Sequence, residues 1–270
     1  MHWIKSVVYG IVCGLSEFLP ISLSGHQSLF SILFGSQIKN PVSDLLVHLS
    51  LLAVVIFANY ALISRLRRDI RTSSRKVHNY AARRSRYDMQ LIKNATIPLV
   101  VFLLLRLFVD KFSGNLLILT LCFAVNGVIL YLPSRFMRGN KDARNMSAAD
   151  ALLIGLLGGL SVFPGISRIG ASASAASARG ADHDEALNWC LLLSIPALIT
   201  QIIMDLIAIS SGIPEPYEFG HYLLIIVGTL TGGYLTISIL RSIISKSGFS
   251  GFAFYSWGAA MLTLVLYMIV

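Results

Sequence analysis

The chain of 270 residues is 55% hydrophobic and only 13% charged, and it carries a formal net charge of +9. A mean hydropathy of +0.72 excludes an ordinary soluble domain and predicts an integral membrane protein. The basic balance does not point to nucleic acid, because the Lys and Arg residues gather in two loops without aromatic interleaving or a recognisable binding fold.

In chain order, Met1 to Lys5 followed by an apolar stretch resembles a secretory leader. Glu17 inside that stretch, Pro20 beyond it and the lack of a clear small-residue cleavage site predict a retained segment instead. The segment reads Gly10 Ile11 Val12 Cys13 Gly14 Leu15 Ser16 Glu17 Phe18 Leu19 Pro20 and runs into Ile21 Ser22 Leu23 Ser24 Gly25 His26. Pro and Gly at the centre of an apolar segment break a helix and free backbone groups that only protein or cavity water can satisfy. A re-entrant hairpin meets that demand and is predicted here, with a full span kinked at proline as the alternative. Apolar runs near 42–62, 94–109 and 116–133 follow, to be compared with the ~20 residues that cross a bilayer as a helix. A basic loop over 65–93 includes Arg65, Arg67, Arg68, Arg71 and Arg75, and Arg135, Arg138, Lys141 and Arg144 mark a second. Both loops are expected in the cytoplasm, with some attraction for anionic lipid head groups.

The second half restarts the pattern. Gly155 Leu156 Leu157 Gly158 Gly159 Leu160 Ser161 Val162 Phe163 Pro164 repeats Gly, Gly, Leu, Ser and Phe at a constant offset of 145 positions, and Gly165 Ile166 Ser167 Arg168 Ile169 Gly170 follows. A second hairpin is therefore predicted, then spans near 186–209, 220–240 and 252–270, with Glu215 and Glu218 outside and Arg241 and Lys246 inside. The expected architecture is an all-α polytopic membrane protein, a single domain over 1–270 with six transmembrane helices plus two re-entrant helical hairpins. Repeat one covers about 6–133 and repeat two about 147–270. Three crossings invert the second repeat relative to the first, a transporter-like design with its polar site where the hairpins meet.

Glu17 sits in an apolar segment, where an unpaired charge costs on the order of 3 kcal/mol on insertion scales. It is expected to have a partner or a proton. Arg168 offers a rigid fork matched to phosphate or carboxylate oxygens, and Gly165 and Gly170 would let backbone amides approach an anion beside Ser167. The Ala and Ser run that follows could open a helix whose N-terminus adds positive potential. An Arg168 to Glu17 ion pair is compatible with that site. His26, after Ser22 and Ser24, is a candidate general acid or base or a hydrogen-bonded group at a segment end. His48 and Asp44 are candidate supporting groups. The small residues Ala171 to Ala178 read as a close-packing surface, and the scattered Cys13, Cys122 and Cys190 suggest neither a disulfide framework nor a zinc site.

Glu17 Phe18 Leu19 Pro20 Ile21 Ser22 with Gly25 His26, and Pro164 Gly165 Ile166 Ser167 Arg168 with Gly170, resemble the two signature motifs of the undecaprenyl-diphosphate phosphatase family, the BacA or UppP type. The resemblance runs from about residue 6 to the C-terminus. It implies a bacterial inner-membrane protein with six spans and two re-entrant hairpins, whose polar pocket opens to the outer face. It also implies a polyprenyl phosphate or diphosphate lipid as ligand, no nucleic acid, and a place for a divalent cation, with a homo-oligomer left open. By analogy Ser167 and Arg168, with Gly165 and Gly170, bind the diphosphate, while Glu17, His26, Ser22 and Ser24 support the chemistry. The sequence departs from the pattern at three positions. Cys13 stands where the family carries a second glutamate, Leu23 where it carries a serine proposed as nucleophile, and Ile169 where a serine follows the arginine. Leucine supplies no attacking oxygen and cysteine is a poor ligand for a hard cation, so the residues favour binding over hydrolysis. Hydrolysis by His26, a neighbouring serine or an activated water, and transport of a prenyl phosphate head group, both remain open readings.

Overall fold

Proline, glycine and capping serines punctuate a chain that is otherwise helical. The computed structural model describes residues 3–35, 40–73, 80–109, 114–136, 146–212 and 218–269, and no strand occurs among them. The helices are α1 (Trp3–Phe18), α2 (Leu23–Phe34), α3 (Pro41–Ala58), α4 (Tyr60–Ser73), α5 (Tyr80–Leu104), α6 (Arg106–Val109), α7 (Leu116–Phe136), α8 (Ala148–Gly159), α9 (Arg168–Ala178), α10 (His183–Ser210), α11 (Phe219–Ser247) and α12 (Ser250–Ile269). Among the described residues five helices are long and apolar enough to cross a bilayer: α3, α7 over Leu116–Pro133, α10, α11 over Phe219–Ile244, and α12. They present a lipid-facing coat of exposed large side chains, including Phe57, Leu121, Ile203, Val227 and Met261. The protein is a multi-pass membrane protein.

Two expectations change. The apolar run near 94–109 is not one helix, because its apolar part is Met89–Leu104 and the chain turns at Leu105 before the short α6. That turn directs Arg106 inward, as described below. The basic stretch 65–93 is also no loop: α4 and the start of α5 occupy its described part, consistent with the good helix propensity of Arg and Lys. Arg138, Lys141, Arg144 and Glu215 lie outside the described residues.

Each copy of the repeat forms an antiparallel helical hairpin. In the first, Lys5 Nζ near the start of α1 donates to Phe34 O at the end of α2 (3.3 Å), and the Tyr9 and Phe30 rings lie 5.3 Å apart. In the second, Arg179 beyond the end of α9 pairs with Asp150 in the first turn of α8, and Ser172 Oγ donates to Ile154 O (3.2 Å). A capping box of Ser147 and Asp150 starts α8. The returning arms start at Ser22 and Ser167, whose hydroxyls accept from Gly25 N and Gly170 N as N-caps.

The packing exchanges the two halves. Helix α1 lies on α11 and α8 on α5, so the leading arm of each hairpin packs on the second long helix of the other half. The leading long helices α3 and α10 pack on each other, as do the closing pair α7 and α12. The repeated glycines explain the contact: a Cβ at Gly10 would overlap the Ile225 carbonyl, and one at Gly155 would overlap the Ala95 carbonyl. Gly14 and Gly159 serve in the same way against Gly233 and Phe102. Membrane helices gain dispersion contact by such close approach, since lipid supplies no hydrophobic drive between them. Small residues at these positions therefore bring both hairpin turns to the middle of the molecule.

Candidate functional site

The two turns are held together by a few buried polar groups. Ser22 takes φ +77, and among the described residues no other non-glycine residue has positive φ. Such a conformation costs of order 1–3 kcal/mol and persists when neighbours fix it. Here the fixing contact comes from the other hairpin: Gly165 N donates to Ser22 Oγ (3.1 Å), alongside the capping bond from Gly25 N (3.2 Å). Gly165 has φ +109, and a Cβ there would press on Cys122 and the Phe123 backbone.

Asn126 of α7, fully buried, completes the stitch. Its Nδ2 donates to Pro20 O (3.1 Å) and Ser256 Oγ (2.9 Å), while its Oδ1 accepts from Ser167 N (2.9 Å). One side chain thus satisfies a carbonyl in the first turn and an amide in the second.

Glu17, in the last turn of α1, and Arg168, the first residue of α9, form an ion pair across the hairpins. Both are about 8% exposed. The pair gives each buried charge the partner it needs. Among the described residues Arg168 Nε has no hydrogen-bond partner although it is buried, so the guanidinium keeps an unused donor there.

Beside this pair lies a cavity lined by Glu17, Ser22, Leu23, Ser24 and Gln27 from the first hairpin, and by Ser161, Val162, Ile166, Ser167 and Arg168 from the second. His48, Arg106, Leu198 and Gln201 close it. A second polar network forms part of that wall. Gln27 Nε2 donates to Tyr9 OH and to Asp44 Oδ1 (both 3.0 Å), and Arg106 lies 3.6 Å from Asp44. Arg106 also donates to Gln201 Oε1 (2.7 Å) and Asp205 Oδ1 (3.1 Å), and Asp205 Oδ2 meets His48 Nδ1 at 2.5 Å.

The structure therefore brings Glu17, Ser22, Ser24, Ser167 and Arg168 to one cavity. His26 stands apart from its lining. Its Nδ1 meets Ser22 O (2.8 Å), its Nε2 meets Tyr255 OH (2.7 Å), and its ring packs edge-on to Phe123. The amides of Gly165 and Gly170, expected to face an anion, are engaged by Ser22 and Ser167 instead. The reason is that buried amides must be paired: Gly165 N is taken by the other hairpin's Ser22, and Gly170 N, in the first turn of α9, by its own N-cap Ser167. Cys13 is fully buried against Tyr9 and Gln27, and Leu23 lines the cavity as a hydrocarbon. Ile169 packs into the main apolar core, so no hydroxyl is missing from the cavity at that position. Among the described residues no group of three or more His, Cys, Asp or Glu side chains is placed to hold a metal. Glu17 is already paired with Arg168 and Cys13 offers a soft, buried sulfur, so these residues do not fit the divalent cation that the resemblance implied.

Sequence reasoning missed Asn126, Tyr255, Arg106, Gln27, Gln201 and Asp205. A signal existed for four of them, because Asn126, Arg106, Gln201 and Asp205 are polar groups inside expected spans, where polar side chains are functional by default.

A family model described as bacitracin resistance protein BacA matches residues 6–262. Undecaprenyl-diphosphatase 3 of Bacillus cereus is 31% identical over 271 residues, covering 98% of each chain. The undecaprenyl-diphosphatase of Halothermothrix orenii is 29% identical with the same coverage, and that of Thermosipho africanus is 31% identical over 252 residues, 92% of this chain and 94% of the relative. With its two glycine-packed hairpins, its Glu17 to Arg168 pair and this match across nearly its whole length, the chain belongs to the BacA family.

Proposed function

We propose that the protein removes the terminal phosphate of undecaprenyl diphosphate, or of a closely related polyprenyl diphosphate, in the bacterial inner membrane. The observation that carries the reading is Arg168, a buried guanidinium with an unused donor on a cavity between two hairpin turns. Arg168 grips the phosphate oxygens with Ser167 beside it, Glu17 shares the guanidinium and sets its orientation, and the Ser22 and Ser24 hydroxyls contact the outer oxygens. His26 supports the first turn through Ser22 O and Tyr255. Since Leu23 offers no oxygen, the attacking group is a cavity water. The names of the relatives support this substrate.

The membrane arrangement belongs to the same proposal. The hairpins enter and leave on one side, the Met89–Leu104 part of α5 joins the five long helices as the sixth crossing, the basic segments face the cytoplasm, and the cavity opens outward. The antiparallel closure of each hairpin and the glycine-mediated exchange packing support it.

The exchange packing also favours a second reading, carriage of a polyprenyl phosphate head group between the two membrane faces. One experiment separates them. Purified protein in liposomes receives undecaprenyl diphosphate, and phosphate release is followed together with movement of a labelled undecaprenyl phosphate. Release that vanishes in Arg168→Ala supports hydrolysis. Movement without release supports carriage, and neither activity refutes both readings.

A further inference from the structure

The cavity carries an imidazole that the family motifs do not include. His48 and Asp205, from the facing helices α3 and α10, are 4% and 2% exposed. His48 Nδ1 lies 2.5 Å from Asp205 Oδ2, and the other carboxylate oxygen accepts from Arg106 at 3.1 Å. Arg106 pairs with the carboxylate from the far side, and a carboxylate oxygen as acceptor at Nδ1 places the neutral ring's proton there. The remaining nitrogen, Nε2, then carries the lone pair. It makes no hydrogen bond among the described residues, and His48 lines the same cavity as Glu17 and Arg168. His26 differs on each count: both of its nitrogens have partners, and it is not on the cavity wall.

We propose that His48 and Asp205 form the general-base dyad of this protein, with His48 the catalytic base and Asp205 its positioning residue. The inference rests on the hydrolase reading above. His48 Nε2 takes a proton from a cavity water as the water oxygen bonds to the terminal phosphorus. The bond from that phosphorus to the bridging oxygen breaks, and its electron pair leaves on the lipid monophosphate. Inorganic phosphate is the second product. The proton rests on His48, whose imidazolium faces the Asp205 carboxylate, and passes to water when phosphate departs. A water activated in this way supplies the attacking oxygen that Leu23 cannot, with Arg168 holding the phosphate.

The test uses the full-length protein in detergent with undecaprenyl diphosphate, measuring both binding and phosphate release for wild type, His48→Gln and Asp205→Asn. The dyad requires each variant to bind within about twofold of wild type while release falls by about a hundredfold or more, the range for loss of a general base. Asp205→Asn covers the case in which His48→Gln does not fold. Release at the wild-type rate in either folded variant overturns the dyad and leaves the phosphatase reading standing. Binding and release lost together in both variants make the pair a structural clamp and also overturn it. A wild type that binds but releases no phosphate removes the phosphatase reading and the dyad together.

Discussion

Asn126→Ala tests whether the hairpin turns are joined by one side chain. The substitution removes two donated bonds, to Pro20 O and Ser256 Oγ, and one accepted from Ser167 N. On a soluble-protein scale, leaving the Pro20 carbonyl and the Ser167 amide buried and unpaired costs about 1–3 kcal/mol each. Hydrogen bonds between helices inside membranes average about 0.6 kcal/mol, because the membrane-unfolded chain also finds partners. Three bonds on that scale give about 2 kcal/mol, which is about a thirtyfold shift in equilibrium. Reversible unfolding in mixed micelles reads the stability, and hydrogen exchange at the Ser167 amide reads the local opening. Ser256→Ala is the control: it removes one of the three bonds and orphans neither turn, so its cost is about 0.6 kcal/mol and phosphate release stays intact. An Asn126→Ala protein within about 0.5 kcal/mol of wild type, the usual spread for an innocuous substitution, and with normal release would refute the clamp.

Three further outcomes are expected. Gly10→Ala and Gly155→Ala each drive a methyl into a backbone carbonyl of the facing helix and lower unfolding stability by about 1–3 kcal/mol, whereas Gly258→Ala, whose methyl would meet no packing neighbour within 4 Å among the described residues, is neutral or stabilising. Unequal results for Gly10 and Gly155 in the same unfolding assay would contradict the exchange packing. Arg168→Lys keeps the charge but loses the planar fork, so binding of undecaprenyl diphosphate by titration weakens by about tenfold or more, an effect of about 1.4 kcal/mol. Leu23→Ser places a hydroxyl on the cavity wall; it raises phosphate release and lowers stability by about 2 kcal/mol, through loss of a buried leucine.

The hairpins were legible because their signals are local. Gly, Pro and the capping residues Ser22 and Ser167 determine helix ends within a few positions, and the offset repeat shows that the two segments do the same job. The pairing of Glu17 with Arg168 was also legible, since an isolated charge at that depth needs an opposite one. Arg106 was hidden by a boundary: the run near 94–109 reads as a single helix, and only the turn at Leu105 aims its side chain at Asp44 and Asp205. The facing of His26 was not legible either. Ser22 with a positive φ rotates the start of α2, and a left-handed serine has no sequence signature comparable to that of glycine. His48 and Asp205 are 157 residues apart, and no helical periodicity relates two such positions before the packing of α3 on α10 is known.

The repeat copies the frame and leaves the chemistry unequal. Glycines at equivalent positions seat each hairpin on the opposite half, so the two turns arrive together by near-symmetric packing. Residue 17 and its equivalent at the same offset, Val162, both line the cavity, yet one is a carboxylate and the other a hydrocarbon. Arg168 has no cationic counterpart in the first hairpin, where Leu23 is the corresponding residue at that offset. A site with the same charge on both sides would hold a symmetric anion without orienting it. Here the guanidinium lies on one hairpin, the carboxylate on the other, and the His48 to Asp205 pair on the helices between them. That inequality gives the cavity a polar direction, which the proposed hydrolysis needs: a diphosphate with one lipid end and one free end must be oriented if a single phosphorus is to meet the attacking water.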